Sequence, residues 1–152
     1  MAGKLVNEPF SSKDFKPTVM KEPLTIGLID DDDIYKFTAK KIFEIVDPAQ
    51  KVVSFENGKD AVDFLTDNAA DLPDILLLDI EMPKMNGWEF LEAYNMVNGK
   101  LKKDIVIYMV SSSIDEQDKR RSKTYKTVRG YFPKPLTKEI VRKIIDDNRG
   151  VN

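Results

Sequence analysis

One stretch constrains the fold of this chain more than any other: Asp74-Ile75-Leu76-Leu77-Leu78-Asp79-Ile80-Glu81-Met82-Pro83-Lys84-Met85-Asn86-Gly87. Its apolar residues, Ile75 to Leu78 with Ile80, flank a single acid. A run this short and this solidly apolar reads as a parallel strand buried on both faces. Asp79 stands at the end of the run, and Met82-Pro83 and Asn86-Gly87 break the chain after it. The acid therefore sits at a strand-to-loop junction, the place where open α/β sheets bind their ligands. An ionisable side chain there is costly to bury unless chemistry or a partner uses it.

The rest of the sequence repeats the pattern. Residues 1–22 are polar and aperiodic, with Pro9 and Pro17, and read as a flexible N-terminal extension ahead of a domain over 23–148 and a short tail over 149–152. Leu24 to Ile29 is a first strand, followed at once by Asp30, Asp31, Asp32 and Asp33. A helix is expected from about Asp33 to Val46, with Ile34, Thr38, Ile42 and Ile45 on its inner face and Lys36, Lys40 and Lys41 off it. Lys51 to Phe55 is a second strand. Asn57, with Asp60 three residues on, caps a helix carrying Ala61, Val62 and Leu65. Gly87 to about Val97 forms a third helix with Trp88, Leu91 and Tyr94 as apolar members. Ile105 to Val110 is a fourth strand. Ser113 and Glu116 form a capping box for a charged fourth helix reaching about Thr127. Gly130 to Pro133 is a short fifth strand, and Thr137 caps a last helix with Ile140, Val141, Ile144 and Ile145 inward. Five βα alternations imply one five-stranded parallel sheet with helices on both faces.

Composition removes whole classes of chemistry. There is no Cys and no His among the 152 residues, which excludes thiol nucleophiles, Ser-His triads, disulfides and the usual zinc sites. Any metal must be a hard cation held by oxygen, Mg²⁺ or Mn²⁺. The net charge of −2 argues against a nucleic-acid surface. No apolar run is long enough to span a membrane, and the N-terminus lacks a signal peptide's apolar core. A cytoplasmic protein is the expectation.

Parallel strands end on one side, so Asp30 and Asp31, Asp79, Ser111 and Lys134 converge on one edge. Three carboxylates together repel unless a cation sits among them, and Mg²⁺ needs few protein ligands. A hydroxyl and an ammonium beside them suit a phosphoryl group. The set describes a carboxylate that accepts a phosphoryl group. Taken singly, the Asp30–Asp33 acids also suit a helix start, and Tyr131 also reads as packing.

The strand end Leu28-Ile29-Asp30-Asp31, the block from Leu77 to Gly87, the step Val110-Ser111-Ser112 and the ending Gly130-Tyr131-Phe132-Pro133-Lys134-Pro135 together resemble a response-regulator receiver domain of two-component signalling, over roughly Leu24 to Asp147. The resemblance implies the flavodoxin-like strand order 2-1-3-4-5. It implies Asp79 as phosphoacceptor, Asp31 as a direct Mg²⁺ ligand, Asp30 as a ligand through water, and the Glu81 carbonyl as a third. It implies Ser111 as a switch hydroxyl, Lys134 as the phosphoryl partner, a cis Lys134-Pro135 bond, and Tyr131 as an aromatic whose rotamer follows phosphorylation. It further implies a histidine kinase or histidine phosphotransfer protein as donor, and a downstream protein target or a second copy of the chain as receiver of the signal. A stand-alone switch, not an enzyme, is expected, with no nucleic-acid or membrane partner. Two other readings remain at this point: an Asp-nucleophile phosphatase of the haloacid-dehalogenase kind, which wants an Asp where Glu81 stands, and a receiver-like module that is never phosphorylated.

Overall fold

The computed structural model describes residues 23–67, 71–113 and 115–149; the extension expected over 1–22 and residues 150–152 of the expected tail lie outside the described residues. The elements are β1 (Thr25–Ile29), α1 (Asp33–Val46), β2 (Lys51–Phe55), α2 (Gly58–Asp67), β3 (Ile75–Leu78), α3 (Gly87–Val97) with a 3₁₀ turn at Asn98–Lys100, β4 (Val106–Ser111), α4 (Glu116–Ser122), β5 (Val128–Pro133) and α5 (Lys138–Asn148). The five strands form one sheet in the order β2-β1-β3-β4-β5. Every pairing is parallel. This is the flavodoxin-like order.

The two-residue period of a strand splits the core into two layers. Ile75 and Leu77 of β3 join Ile26, Leu28, Ala39, Phe43, Val141 and Ile144, so α1 and α5 cover one face. Leu76 and Leu78 join Ala61, Leu65, Phe90, Leu91 and Tyr94, so α2 and α3 cover the other. β3 is fully buried along its length, as its unbroken apolar run requires.

Two helix starts are capped as the sequence suggests, and a third has a capping box not expected there. Asn57 Oδ1 accepts from the Asp60 N–H at 2.9 Å, and Thr137 Oγ1 accepts from the Ile140 N–H at 3.1 Å. Asn86 and Glu89 form a reciprocal capping box on α3, a pairing written in the sequence as Asn-x-x-Glu. α4 differs from expectation. Its N-cap is Asp115, which accepts from the Gln117 N–H, and it ends at Ser122 rather than near Thr127. Ser113 is used otherwise: its Oγ accepts from the Asp115 N–H at 3.2 Å and donates to Asp118 Oδ2 at 2.8 Å. β5 begins at Val128, two residues before the expected Gly130.

The inner face of α1 also differs. Lys36, Ala39 and Phe43 are the buried residues, whereas Ile34 is 79% and Ile45 63% exposed. α1 carries apolar residues around most of its circumference, so more than one stripe fits a helical period. The stripe that packs is the one carrying Ala39 and Phe43, each 1% exposed, and Lys36 shares that side. Its ammonium meets Glu56 at 2.8 Å and Asp33 at 3.5 Å, and this pairing makes its burial tolerable. Among the described residues, no helix is long and apolar enough to cross a membrane.

The rotation of α1 is measurable. Phe43→Ala should cost about 3–5 kcal/mol in denaturant unfolding. Ile45→Ala, on the exposed side, should stay within about 0.5 kcal/mol. Equal losses would restore the stripe read from the sequence.

Candidate functional site

The hydrogen-bond ladder of the sheet runs one residue past several strands, and that extension sets the site. The Asp30 N–H donates to Phe55 O at 3.3 Å, the Asp79 N–H to Ile29 O at 3.0 Å, and the Lys134 N–H to Ser111 O at 3.0 Å. Each candidate side chain is thereby fixed by backbone before its own contacts count. Asp30 (1% exposed) and Asp79 (8% exposed) are buried, while Asp31 faces solvent.

The floor beneath Asp79 is backbone. The Gly87 N–H donates to Ile80 O at 2.7 Å. A Cβ at Gly87 would collide with the Asp79 carbonyl and reach Ile80 Cα at 2.9 Å, so only glycine lets α3 start this close to the acid. Between them the Met85 N–H donates to Pro83 O at 2.7 Å across Lys84, whose φ is +69°. That is a tight, strained three-residue turn, and the sequence carries no sign of it.

Asp30, Asp31 and Asp79 bring one carboxylate oxygen each within 4.8 Å of one another. The Lys134 ammonium lies 2.7 Å from Asp30 Oδ2 and 3.6 Å from Asp79 Oδ2. The shorter contact is the ion pair that holds buried Asp30 Oδ2. Asp30 Oδ1 accepts from the Asp32 N–H at 2.8 Å, and Asp79 Oδ1 from the Ile80 N–H at 2.9 Å. Three oxygen donors, two of them on buried acids, suit a small hard cation such as Mg²⁺. The Asp79 pKa is raised to about 6: burial raises it most and Asp30 next, the Lys134 ammonium and the Ile80 N–H pull against them, and Asp31 adds a last, smaller push upward.

Ser111 stands at the end of β4, buried, with its Oγ accepting from the Ser113 N–H at 3.1 Å. Tyr131 on β5 is half-buried, and its hydroxyl donates to Ser113 O at 3.1 Å. The Glu81 side chain is exposed, two residues beyond Asp79. The Lys134-Pro135 peptide is cis. The sequence reading overlooked Tyr35. Its ring centroid lies 4.4 Å from the Lys134 ammonium, and its buried hydroxyl has no hydrogen-bond partner. The available signal was an aromatic in the first turn of a helix that leaves the strand carrying Asp30, because such a side chain leans back toward the helix start.

A family model described as "Response regulator receiver domain" matches residues 26–146. The probable methanogenesis regulatory protein FilR2 of Methanothrix harundinacea is 25% identical over 130 residues, covering 84% of this chain and 82% of that protein. The nitrate/nitrite response regulator protein NarL of Escherichia coli K12 is 33% identical over 92 residues, and the match spans only 40% of its length. Among solved structures, a two-component response regulator from Cytophaga hutchinsonii superposes with a TM-score of 0.76 at 28% identity, covering 83% of this chain and 97% of that one. A response regulator receiver protein from Dyadobacter fermentans gives 0.71 at 29% identity, covering 81% and 95%.

The raised pKa of Asp79 sets a sign. Its unfolded value is near 3.8 and its folded value about 6, so the folded state binds the extra proton and stability from this group falls as pH rises through that window. Above it the ionised acid costs about 3 kcal/mol in metal-free protein. Asp79→Asn should therefore raise the Tm at pH 7.5 in EDTA, and the gain should vanish near pH 4. Adding Mg²⁺ should stabilise the wild type by mass action, and Asp31→Asn should weaken that gain. An Asp79→Asn protein less stable than wild type at pH 7.5 would contradict the charge crowding.

Proposed function

Because this chain belongs to the response regulator receiver family, whose domain it matches over residues 26–146, we propose that it is a cytoplasmic phosphorylation switch. Asp79 accepts a phosphoryl group from the phosphohistidine of a histidine kinase or histidine phosphotransfer protein. The observation that carries the reading is the environment of the Asp79 carboxylate. One oxygen is held by the Ile80 N–H, and the other faces the Lys134 ammonium at 3.6 Å, with Asp30 and Asp31 alongside. Asp79 Oδ2 attacks phosphorus, the P–N bond of the donor breaks, and its electron pair leaves with the imidazole. Lys134 neutralises the transferring oxygens, and the Ser111 hydroxyl donates to one of them. A Mg²⁺ ion held by Asp30, Asp31, Asp79 and the Glu81 carbonyl would offset the remaining negative charge. The chain then acts on no separate substrate; it loses its own phosphoryl group to water.

The output is a protein contact. Ser111, Ser113 and Tyr131 form one hydrogen-bonded set that reaches α4 through Asp118. Drawing Ser111 toward a phosphoryl oxygen disturbs the Ser113 N–H it holds and, through Ser113, both Tyr131 and α4. The α4–β5–α5 surface then binds a downstream protein, or a second copy of this chain, with changed affinity. The expected coupling is about 1–3 kcal/mol.

Asp79→Asn should abolish labelling by acetyl phosphate or phosphoramidate in mass spectrometry while leaving the fold intact. Labelling at wild-type level would remove Asp79 from its role. Beryllofluoride, a phosphoryl mimic, should shift the amide resonances of Tyr131 and α4. Shifts confined to the Asp79 pocket would rule out this output route.

A further inference from the structure

Tyr35 is placed to guide Lys134. It lies in the first turn of α1, with its backbone N–H fixed to Asp32 Oδ1 at 3.0 Å. Its ring packs against the α1–α5 core layer, and its face meets the Lys134 ammonium at 4.4 Å. A buried tyrosine that serves packing alone normally spends its hydroxyl on a partner. The Tyr35 hydroxyl is buried and has none, so the ring, not the hydroxyl, makes the polar contact of this residue. Burial first, then the Asp30 and Asp79 carboxylates, push its ionisation far above the usual phenol range, which keeps the ring neutral.

Lys134 has three partners: Asp30 at 2.7 Å, Asp79 at 3.6 Å and the Tyr35 ring. The two carboxylates are also the hard oxygen donors of the cation-binding set. A cation draws on their charge and weakens their hold on the ammonium. It has no such claim on a neutral aromatic face, which attracts an ammonium through its quadrupole. We propose that Tyr35 is a positioning residue: its ring is the seat that keeps Lys134 within reach of Asp79 when a divalent cation occupies the acids. The proposal rests on Asp79 being the phosphoacceptor, but its first test does not.

The first test reads the ring current at Lys134 by NMR, with no phosphorylation. The ε-methylene protons of Lys134 should be shifted upfield in wild type, and stay so when Mg²⁺ is added. Tyr35→Phe should keep the shift, and Tyr35→Leu should lose it. Loss of the shift on adding Mg²⁺ to the wild type overturns the proposal, whether or not the leucine variant folds. The second test is the rate of labelling by phosphoramidate in saturating Mg²⁺. Tyr35→Leu should be about two- to thirty-fold slower, the range of one ammonium–ring contact, and Tyr35→Phe should stay within about twofold of wild type. In a Lys134→Met background, Tyr35→Leu should bring no further loss, since it acts through the lysine. An equal loss in that background overturns the proposal. A wild-type protein that takes no label refutes the phosphoacceptor reading instead, and the ring-current result then decides the role of Tyr35 alone.

Discussion

Like charge forced together by backbone is the constraint on which the rest of this structure depends. Asp30 and Asp79 are held at adjacent strand ends by main-chain bonds to Phe55 and Ile29, and Asp31 follows directly. Neither buried acid can shift its backbone without breaking the ladder that orders the sheet. Their repulsion, added to burial, keeps the Asp79 proton on to about pH 6. The Lys134 ammonium answers two of these carboxylates, Asp30 and Asp79, at close range. Perturbed ionisation of this kind gathers where a protein does chemistry. Here the two-layer core absorbs its cost: β1 and β3 are buried on both faces and do not yield.

Other features follow from keeping that crowd in place. α3 begins so close behind Asp79 that only Gly87 fits. The connecting turn puts Lys84 at positive φ to bring the chain round in time. On the far side, Ser113 joins three things at once: the Ser111 hydroxyl, the Tyr131 hydroxyl and Asp118 of α4. A small displacement at the strand end has a short, hydrogen-bonded path to the surface.

The strands and the acids were legible because each strand is a compact apolar run ending in a polar residue, as in Ile75 to Asp79. The residue pattern gave a parallel sheet but not its order, which came from the resemblance, because periodicity says nothing about which strands are neighbours. The inner face of α1 was not legible. Its apolar residues fit two stripes, and the one that packs also buries Lys36, whose counter-charge Glu56 lies twenty positions away. The α4 cap was ambiguous for a similar reason, since Ser113 and Asp115 both offer an oxygen at a helix start and only tertiary contacts assign them. Lys84 gives no warning of its backbone conformation. Tyr35 reads as one more aromatic on a helix until Lys134, ninety-nine residues later, is folded over it.

The positions of the charges in the sheet have a consequence for local stability. The acids follow β1 and β3, strands with neighbours on both sides; Lys134 follows β5, an edge strand of mostly half-buried residues. Edges open at lower free energy than centres, so sub-global fraying exposes the lysine's strand while the acids remain assembled. The site therefore loses its built-in counter-charge before it loses its anionic pocket. In such an excursion, cation affinity outlives competence to stabilise a phosphoryl group, and hydrogen exchange at the β4–β5 seam reports on the second property rather than the first.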